Sequence, residues 1–264
     1  MLPPEQTISL QLYTIRNQLE ENPELALEKV KSIGIDSVEI APLSDRVPAA
    51  RLSRILQLLA LKPVAIHCDL PVGDGLTRAT RLAEEFDCRT LIWHGWPRDP
   101  AFDSSNGVDR LINLYNEAQR NAESLGLELG LHNHWWEFEL VQGLLPYKSM
   151  VERLNPSIFF EVDTYWVRTA GLDPSEILVE LGNRVRFLHL KDGPAEKGKP
   201  MVALGAGVMN FNSILRERNR PVRSLVIELD ECATDIWEAV EVSFHYLTNL
   251  LNDASCQGQG GAAH

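Results

Sequence analysis

Residues 127–139 read LELGLHNHWWEFE, and the first five of them have the pattern of a β-strand. The leucines stand at alternate positions, and side chains in a strand alternate between its two faces. His132 and His134 therefore share the face opposite the leucines. Two imidazoles thus leave the end of one predicted strand on the same side, followed directly by aromatic residues and two carboxylates.

The same strand pattern recurs along the chain, each time followed by a helical pattern. Asn22 can cap the first such helix, Pro23 suits its first position, and Gly34 suits a left-handed end. The predicted strands cover residues 8–14, 37–40, 64–67, 90–94, 127–131, 158–163, 185–190 and 224–229. Eight strand–helix units predict an α/β fold closed into a (β/α)8 barrel. The alternative, an open doubly wound sheet, usually has a glycine-rich first turn, which residues 13–16 lack.

Length and composition agree with one barrel. The chain has 264 residues, of which 44% are hydrophobic and 23% charged, as in ordinary globular proteins with a sizeable core. We assign residues 1–251 to the barrel. Residues 252–264, NDASCQGQGGAAH, are polar and glycine-rich without an apolar period, so we predict a disordered C-terminal tail.

The net charge and the lack of a signal sequence disfavour nucleic acid and membranes as partners. A formal net charge of -12 opposes binding to nucleic acid, which needs a basic surface. No apolar run reaches the length of a bilayer, and the start MLPPEQTIS lacks the features of a signal peptide, so we expect a cytoplasmic protein without a membrane partner. The four cysteines have no C-x-x-C spacing and are expected to be free thiols. The sequence leaves a homo-oligomer open.

Polar residues gather on one face of the last four predicted strands. If the aliphatic face of each strand meets the helices, the alternation directs the other set into the barrel. The inward residues are then His132 and His134, Glu161 and Asp163, His189 and Lys191, and Glu228 and Asp230. They lie at the C-terminal ends of the strands, where barrels of this kind build their active sites.

This set of side chains favours a metal site. A buried charge is costly unless it is paired or coordinates a metal. Imidazoles combined with carboxylates suit Mn²⁺, Co²⁺, Zn²⁺ or Fe²⁺ better than Ca²⁺, and Mg²⁺ stays a further candidate. The alternative is a hydrogen-bonded polar plug in the mouth of the barrel. Agreement among four strands favours the divalent metal ion.

Six segments together resemble one known family. The sequence is similar to the sugar phosphate isomerase/epimerase group of the xylose-isomerase-like TIM barrels over residues 7–251. The segments that carry the resemblance are QLYTIR (11–16), LHNHWWEFE (131–139), VDTYWVRTAGLDP (162–174), RFLHLKDG (186–193), LGAGVMNF (204–211) and VIELD (226–230).

The resemblance implies a divalent metal ion held by His132, Asp163, His189 and Glu228. Many epimerases of the group have a glutamate at the position of His132 and move a proton with two opposed carboxylates. Family members also often carry a glutamate where this chain has Ala206. The histidine form belongs to an HNH…EF branch to which dehydratase-like proteins are also similar.

Several further residues are predicted to act on a substrate. We expect Glu137 or Glu228 to be the general base and Lys191 to hold a substrate oxygen or stabilise an enolate. The substrate contacts are expected to be Glu39, His67, His134, Trp136, Trp166 and Lys191. Each also has a plainer interpretation, as a surface lysine, a packed tryptophan, a solvated carboxylate or a satisfied polar residue of the core.

The expected function is that of a metal-dependent isomerase or epimerase of a small sugar, keto-sugar or cyclic polyol, working by proton abstraction next to a polarised oxygen. The alternative is a dehydratase or lyase acting on a keto-sugar or inosose. An AP-endonuclease-like activity is disfavoured by the acidic charge. A barrel that binds a sugar without turnover is also compatible with the sequence, because two glutamates of the group are replaced.

Overall fold

Eight parallel strands form a closed barrel in the computed structural model, which describes residues 6–42, 44–216 and 221–258. Each strand pairs with its neighbours in sequence order, and β1 also pairs with β8. The strands are β1 Thr7–Gln11, β2 Ser37–Ile40, β3 Lys62–Cys68, β4 Thr90–Trp93, β5 Glu128–His132, β6 Phe159–Asp163, β7 Val185–Leu190 and β8 Ser224–Ile227. The predicted (β/α)8 barrel is therefore confirmed.

Helices surround this barrel and connect its strands. Their bounds are α1 Arg16–Glu21, α2 Pro23–Ile33, α3 Ala49–Leu58, α4 Asp74–Glu85, α5 Ser105–Ser124, α6 Pro146–Arg153, α7 Thr164–Thr169, α8 Pro174–Leu181, α9 Phe211–Arg216 and α10 Ile236–Gly258. The signals at α2 are confirmed: the side chain of Asn22 accepts the N–H of Leu25 at 3.1 Å, and Gly34 is left-handed with φ of 104°. None of the described helices is long and apolar enough to cross a membrane.

The first strand and the last helix differ from the sequence prediction. β1 ends at Gln11 rather than at residue 14, because the side chain of Gln11 accepts the N–H of Tyr13 at 3.3 Å and starts a 3-10 turn over Leu12–Ile15. Helix α10 continues past the boundary expected at residue 252 and ends at Gly258. No proline or glycine interrupts the chain before that glycine. The rest of the predicted tail lies outside the described residues.

The alternation of side chains divides the core into two parts. The aliphatic faces of the strands pack against the helices, and Leu129, Leu131 and Val162 are among the buried residues there. A smaller apolar layer fills the inside of the barrel and consists of Ala65, Ile92, Phe159, Phe187 and Val226. Polar side chains occupy the barrel above this layer, so the apolar layer is the floor on which the candidate site stands.

Gly130 in β5 makes room for this inner layer. A Cβ atom at Gly130 would lie 2.2 Å from Cε2 of Phe159, well inside van der Waals contact. Phe159 is 1% exposed and its ring lies 5.7 Å from that of Phe187, centroid to centroid. The missing side chain at residue 130 therefore lets an aromatic ring fill the centre of the barrel.

We predict that Gly130→Ala lowers the free energy of unfolding by roughly 1–3 kcal/mol, because the added methyl group forces Phe159 out of its position. Urea unfolding of Gly130→Ala, Phe159→Leu and the double variant measures this effect. If the clash is the cause, Gly130→Ala costs less in the Phe159→Leu background. Strictly additive effects would contradict the packing explanation.

Candidate active site at the mouth of the barrel

Polar residues of β5 to β8 meet at the C-terminal end of the barrel. His132 and Asp163 end their strands, His189 lies near the end of β7, and Glu228 directly follows β8. All four side chains are buried. One ligand atom from each lies within 4.8 Å of those of the other three. The structure thus brings together the set of residues that the family resemblance implied, which we call the ligand set.

The chemistry of the ligand set fits a divalent cation. His189 Nδ1 lies 2.7 Å from Glu228 Oε2, and His132 Nε2 lies 3.8 Å from Asp163 Oδ2. Asp163 Oδ1 accepts the N–H of Trp166 at the start of α7, so Oδ2 is left facing the other ligands. This buried oxygen accepts no hydrogen bond from the described residues, although Lys191 Nζ forms an ion pair with it at 3.0 Å. A buried carboxylate oxygen directed at imidazoles and a second carboxylate is what a transition-metal site requires.

Lys191 lies directly beside the ligand set and is 1% exposed. Its Nζ lies 3.0 Å from Asp163 Oδ2, 2.8 Å from Glu228 Oε2 and 2.9 Å from Asp230 Oδ2. Burial opposes its charge, but the neighbouring carboxylates outweigh burial and raise the pKa of Lys191 well above its usual value. Lys191 is therefore an ammonium group held at the site, and the alternative of a surface lysine is wrong.

The protonation states of the ligand set follow from burial and charge. Burial opposes the charge of His189, but Glu161, Glu228 and Glu39 outweigh burial and raise the pKa of His189 well above its usual value, so this imidazole carries both protons in the structure. Burial, together with the charge of His189, holds the pKa of His132 well below its usual value, so this imidazole is neutral as a ligand must be. Burial also raises the pKa of Asp163 to about 6, although Lys191 opposes this shift. Burial disfavours the charge of Glu228, but Lys191 and His189 outweigh it and hold its pKa below the usual range.

A second polar layer lies below the ligand set. Glu39 and Glu161 are fully buried, and His67 is nearly so. Oε2 of Glu161 lies 2.6 Å from His67 Nε2, 3.1 Å from His132 Nδ1 and 3.1 Å from His189 Nε2. Glu39 and His67 were expected to contact substrate. The structure instead pairs them with each other at 3.2 Å and with the polar residues beneath the ligands.

Glu137, one of the two predicted bases, does not join the ligand set. Its carboxylate accepts the N–H of His134 at 3.0 Å, and Glu137 lines a small cavity together with His132, Phe160 and Val162 among others. Burial raises the pKa of Glu137 to about 8. The short 3-10 helix Trp136–Phe138 explains this position, which strand alternation could not predict beyond residue 134.

The predicted aromatic contacts have different positions. Trp136 is 1% exposed and stacks on the His134 ring with centroids 4.2 Å apart, and its contact with a substrate stays a prediction. His134 and Trp166 lie nearer the mouth, each 8% exposed. The Trp166 ring centroid is 5.4 Å from Nζ of Lys191, next to the ligand set.

Some residues at the mouth were not predicted as part of the site. Asp230 pairs with Lys191, and Arg16 donates from its guanidinium to the carbonyl oxygen of Asp230 at 2.8 Å. The inward alternation of β8 indicated Asp230, whereas no signal pointed to Arg16. His94, which directly follows β4, is half-buried, and burial lowers its pKa to about 4.

The long segment after β7 is held down by one buried carboxylate. Asp192 accepts backbone N–H groups from Gly193 at 2.9 Å, Gly205 at 2.9 Å, Gly207 at 3.0 Å and Met209 at 3.1 Å. A Cβ atom at residue 207 would lie 2.1 Å from Asp192 Oδ1, so the contact requires glycine there. Ala206, which stands where family members often carry a glutamate, is exposed in this turn.

Comparisons with known proteins agree with this architecture. The model of the xylose isomerase-like TIM barrel family matches residues 27–221. A search of curated proteins finds no match. Among solved structures, a sugar phosphate isomerase/epimerase from Parabacteroides distasonis is 22% identical with a TM-score of 0.78, and the match covers 92% of this chain and 98% of that one.

Two further solved structures have the same fold. An L-ribulose 3-epimerase is 16% identical with a TM-score of 0.73, covering 98% of this chain and 99% of its own. The probable 3-DHS dehydratase from Bacillus anthracis is 14% identical with a TM-score of 0.69, covering 92% of this chain and 99% of its own. The family match spans most of the sequence, and the chain belongs to the xylose isomerase-like TIM barrel family.

Proposed function

We propose that this chain is a divalent-metal-dependent enzyme that isomerises or epimerises a small sugar, keto-sugar or cyclic polyol by proton abstraction. The observation that carries the proposal is the ligand set itself: two imidazoles and two carboxylates, all buried, at the catalytic end of the barrel. Neighbours in the same fold include an isomerase/epimerase and a 3-epimerase, which supports a small carbohydrate as the substrate. The net charge of -12 supports this over nucleic acid.

His132, Asp163, His189 and Glu228 would hold the metal ion. When bound, a divalent cation would polarise a carbonyl or hydroxyl oxygen of the substrate and make the neighbouring C–H group acidic. The neutral state of His132 leaves the site more positive than a glutamate at that position would. The donor set suits Mn²⁺, Co²⁺, Zn²⁺ or Fe²⁺.

Within this proposal, Glu228 takes the proton and Lys191 stabilises the developing negative charge. Glu228 is the carboxylate of the ligand set nearest the opening, with 7% of its side chain exposed against 0% for Asp163. Glu228 is ionised, as a base must be before it accepts a proton, and its lowered pKa favours return of that proton to the substrate. Lys191 adds a fixed ammonium group 2.8 Å from Glu228, where an enolate oxygen would need a donor. Glu137 is given no role in this chemistry, because its carboxylate accepts the backbone N–H of His134 and is not among the four residues of the ligand set.

Dehydration is the second candidate function. His132 stands where the two-carboxylate epimerases have a glutamate, so the ligand set offers fewer carboxylates on opposite sides of a substrate. One group suffices for dehydration if it takes the proton from carbon and then gives it to the β-hydroxyl oxygen, which leaves as water. One base also suffices for a proton shift on a single face. A dehydratase has the same fold. NMR of ketoses, 3-keto-sugars and inosose-like polyols in D₂O separates proton exchange from loss of water.

Removal of a ligand should remove the metal ion. We predict that His189→Ala and Asp163→Ala each weaken binding of Zn²⁺ or Co²⁺ by more than about tenfold, because each loses a donor. Glu137→Gln is the matched control, a change of one buried carboxylate outside the ligand set. Elemental analysis and calorimetry measure occupancy and affinity. Full occupancy in both alanine variants would show that the site is wrongly assigned.

Lys191 should matter for turnover but not for metal content. We predict that Lys191→Met lowers kcat by roughly 10²–10³-fold on a confirmed substrate, as expected for loss of a donor to a developing oxyanion. Metal content should stay at the wild-type level because Lys191 donates no ligand atom. Steady-state kinetics and elemental analysis of the same preparation test this together. A wild-type rate would exclude the proposed role.

Glu137 should affect stability rather than catalysis. Its pKa is raised to about 8, so between about pH 5 and pH 8 the folded chain keeps a proton that the unfolded chain loses. Stability therefore falls as pH rises through this window, by at most about 1.4 kcal/mol per pH unit from this group. We predict that Glu137→Gln becomes progressively more stable than wild type from pH 5 to pH 8 in urea unfolding and keeps its kcat. A large loss of kcat would instead restore Glu137 as the base.

A further inference from the structure

Each imidazole of the ligand set has one ring nitrogen near another ligand and one near a carboxylate below. Nδ1 of His189 lies 2.7 Å from Glu228 Oε2, while its Nε2 lies 2.6 Å from Glu39 Oε2. Nε2 of His132 lies 3.8 Å from Asp163 Oδ2, while its Nδ1 lies 3.1 Å from Glu161 Oε2. The two rings therefore bridge the ligand set and the lower carboxylates in the same way.

This arrangement determines which nitrogen is available to a cation. A divalent cation in the ligand set would displace one proton of His189, and a neutral imidazole has one N–H donor and one nitrogen lone pair. A carboxylate beside one nitrogen keeps the proton there and leaves the lone pair of the other nitrogen for a metal ion. Glu39 and Glu161 are 0% exposed, so a substrate at the mouth cannot reach them. Glu39 and Glu161 contact the ligand imidazoles, so their role concerns these imidazoles.

We propose that Glu39 and Glu161 are positioning residues that fix the orientation and proton position of the two ligand imidazoles. Glu39 holds the N–H at Nε2 of His189, and Glu161 holds the N–H at Nδ1 of His132. Nδ1 of His189 and Nε2 of His132 then face the cation. This inference rests on the proposed metal-dependent function and replaces the substrate contact that the sequence predicted for Glu39.

His67 completes the lower layer without joining the ligand set. Its Nε2 lies 2.6 Å from Glu161 Oε2 and 3.2 Å from Glu39 Oε1, so one imidazole connects the two carboxylates. Its ring stacks on that of His189 with centroids 5.4 Å apart and planes 3° apart. Gln11 adds a hydrogen bond from its side-chain nitrogen to Glu39 Oε2 at 3.0 Å. The carboxylates are thereby held from below and from the side.

The main alternative is a second cation in the lower layer. Ligand atoms of His67, His132, Glu161 and His189 also lie within 4.8 Å of one another. Ligands about 2.0–2.1 Å from a tetrahedral cation stand roughly 3.3 Å apart. The three imidazole nitrogens lie 2.6–3.1 Å from the same oxygen of Glu161, which is hydrogen-bond length. A cation between His189 Nδ1 and Glu228 Oε2 would lengthen their distance by roughly 0.6 Å. The contacts of Glu39 and Glu161 with the imidazoles need no such change to hold the N–H groups.

The test compares Glu161→Gln and Glu39→Gln with the control Glu137→Gln. Each replaces a buried carboxylate by an isosteric amide, but only the first two lie beneath the ligands. We expect the dissociation constant for Co²⁺ to rise by about 10–100-fold in the first two variants and to stay near wild type in the control. Calorimetry gives the constant and the stoichiometry, and the visible spectrum of bound Co²⁺ reports changed ligand geometry without any assay of turnover.

The ring nitrogens can also be observed directly in the wild-type protein. With Zn²⁺ bound, ¹⁵N NMR of the histidines should show Nδ1 of His189 and Nε2 of His132 as ligands and the other nitrogen of each ring carrying the proton. This measurement decides the proposal even if a glutamine variant does not fold. If Nε2 of His189 or Nδ1 of His132 is found to be the ligand, the positioning role of Glu39 and Glu161 is wrong.

The remaining outcomes are equally decisive. Unchanged Co²⁺ affinity in folded Glu161→Gln and Glu39→Gln would overturn the positioning role while leaving the proposed function intact. A second equivalent of metal that disappears in His67→Gln would overturn it in favour of a cation in the lower layer. No binding of Co²⁺ or Zn²⁺ by the wild type would reject the metal-dependent function and this inference together.

Discussion

Buried carboxylates inside the barrel impose the constraint on which the candidate site depends. A carboxylate that leaves water must find cations or N–H donors nearby. Glu161 meets this requirement with three imidazoles at one oxygen, and Glu228 meets it with His189 and Lys191. The positions of the imidazoles are therefore not independent of one another, because they surround the same acceptors.

The architecture and the ligand set could be predicted because both follow from strand alternation. The leucine faces of β5 and β7 pack outward, and the residues between them meet inside, as in the pair His132 and His189. Alternation fails where a strand ends. Glu137 lies within the 3-10 helix Trp136–Phe138, and Trp136 in the same helix stacks on the His134 ring. Neither residue could therefore be placed by counting from the strand. Arg16 contacts Asp230 because β1 pairs with β8, and a contact between residues 214 positions apart in sequence leaves no local signal.

Alternation also could not separate residues at the mouth from those beneath it. Glu39 and Asp230 have the same inward direction on their strands, yet Glu39 is fully buried and Asp230 lies at the rim. Depth along the barrel axis depends on strand register, and the register shifts between β2 and β3 and between β6 and β7. The sequence therefore predicted which residues form the site better than their depth along the barrel axis. That depth decides whether a carboxylate lies at the opening or beneath the ligand imidazoles.

The apolar layer of the barrel has a further consequence for the fate of a proton. Phe159, Phe187 and their neighbours fill the barrel beneath Glu161, so the polar site is a blind-ended funnel with its opening on one side. A bound substrate would block the path by which bulk water exchanges with the catalytic groups. A hydrogen taken from one carbon would then return to the same molecule more often than it is lost to solvent. Under the proposed function, the packing over Gly130 would thereby favour internal return of the hydrogen to the substrate.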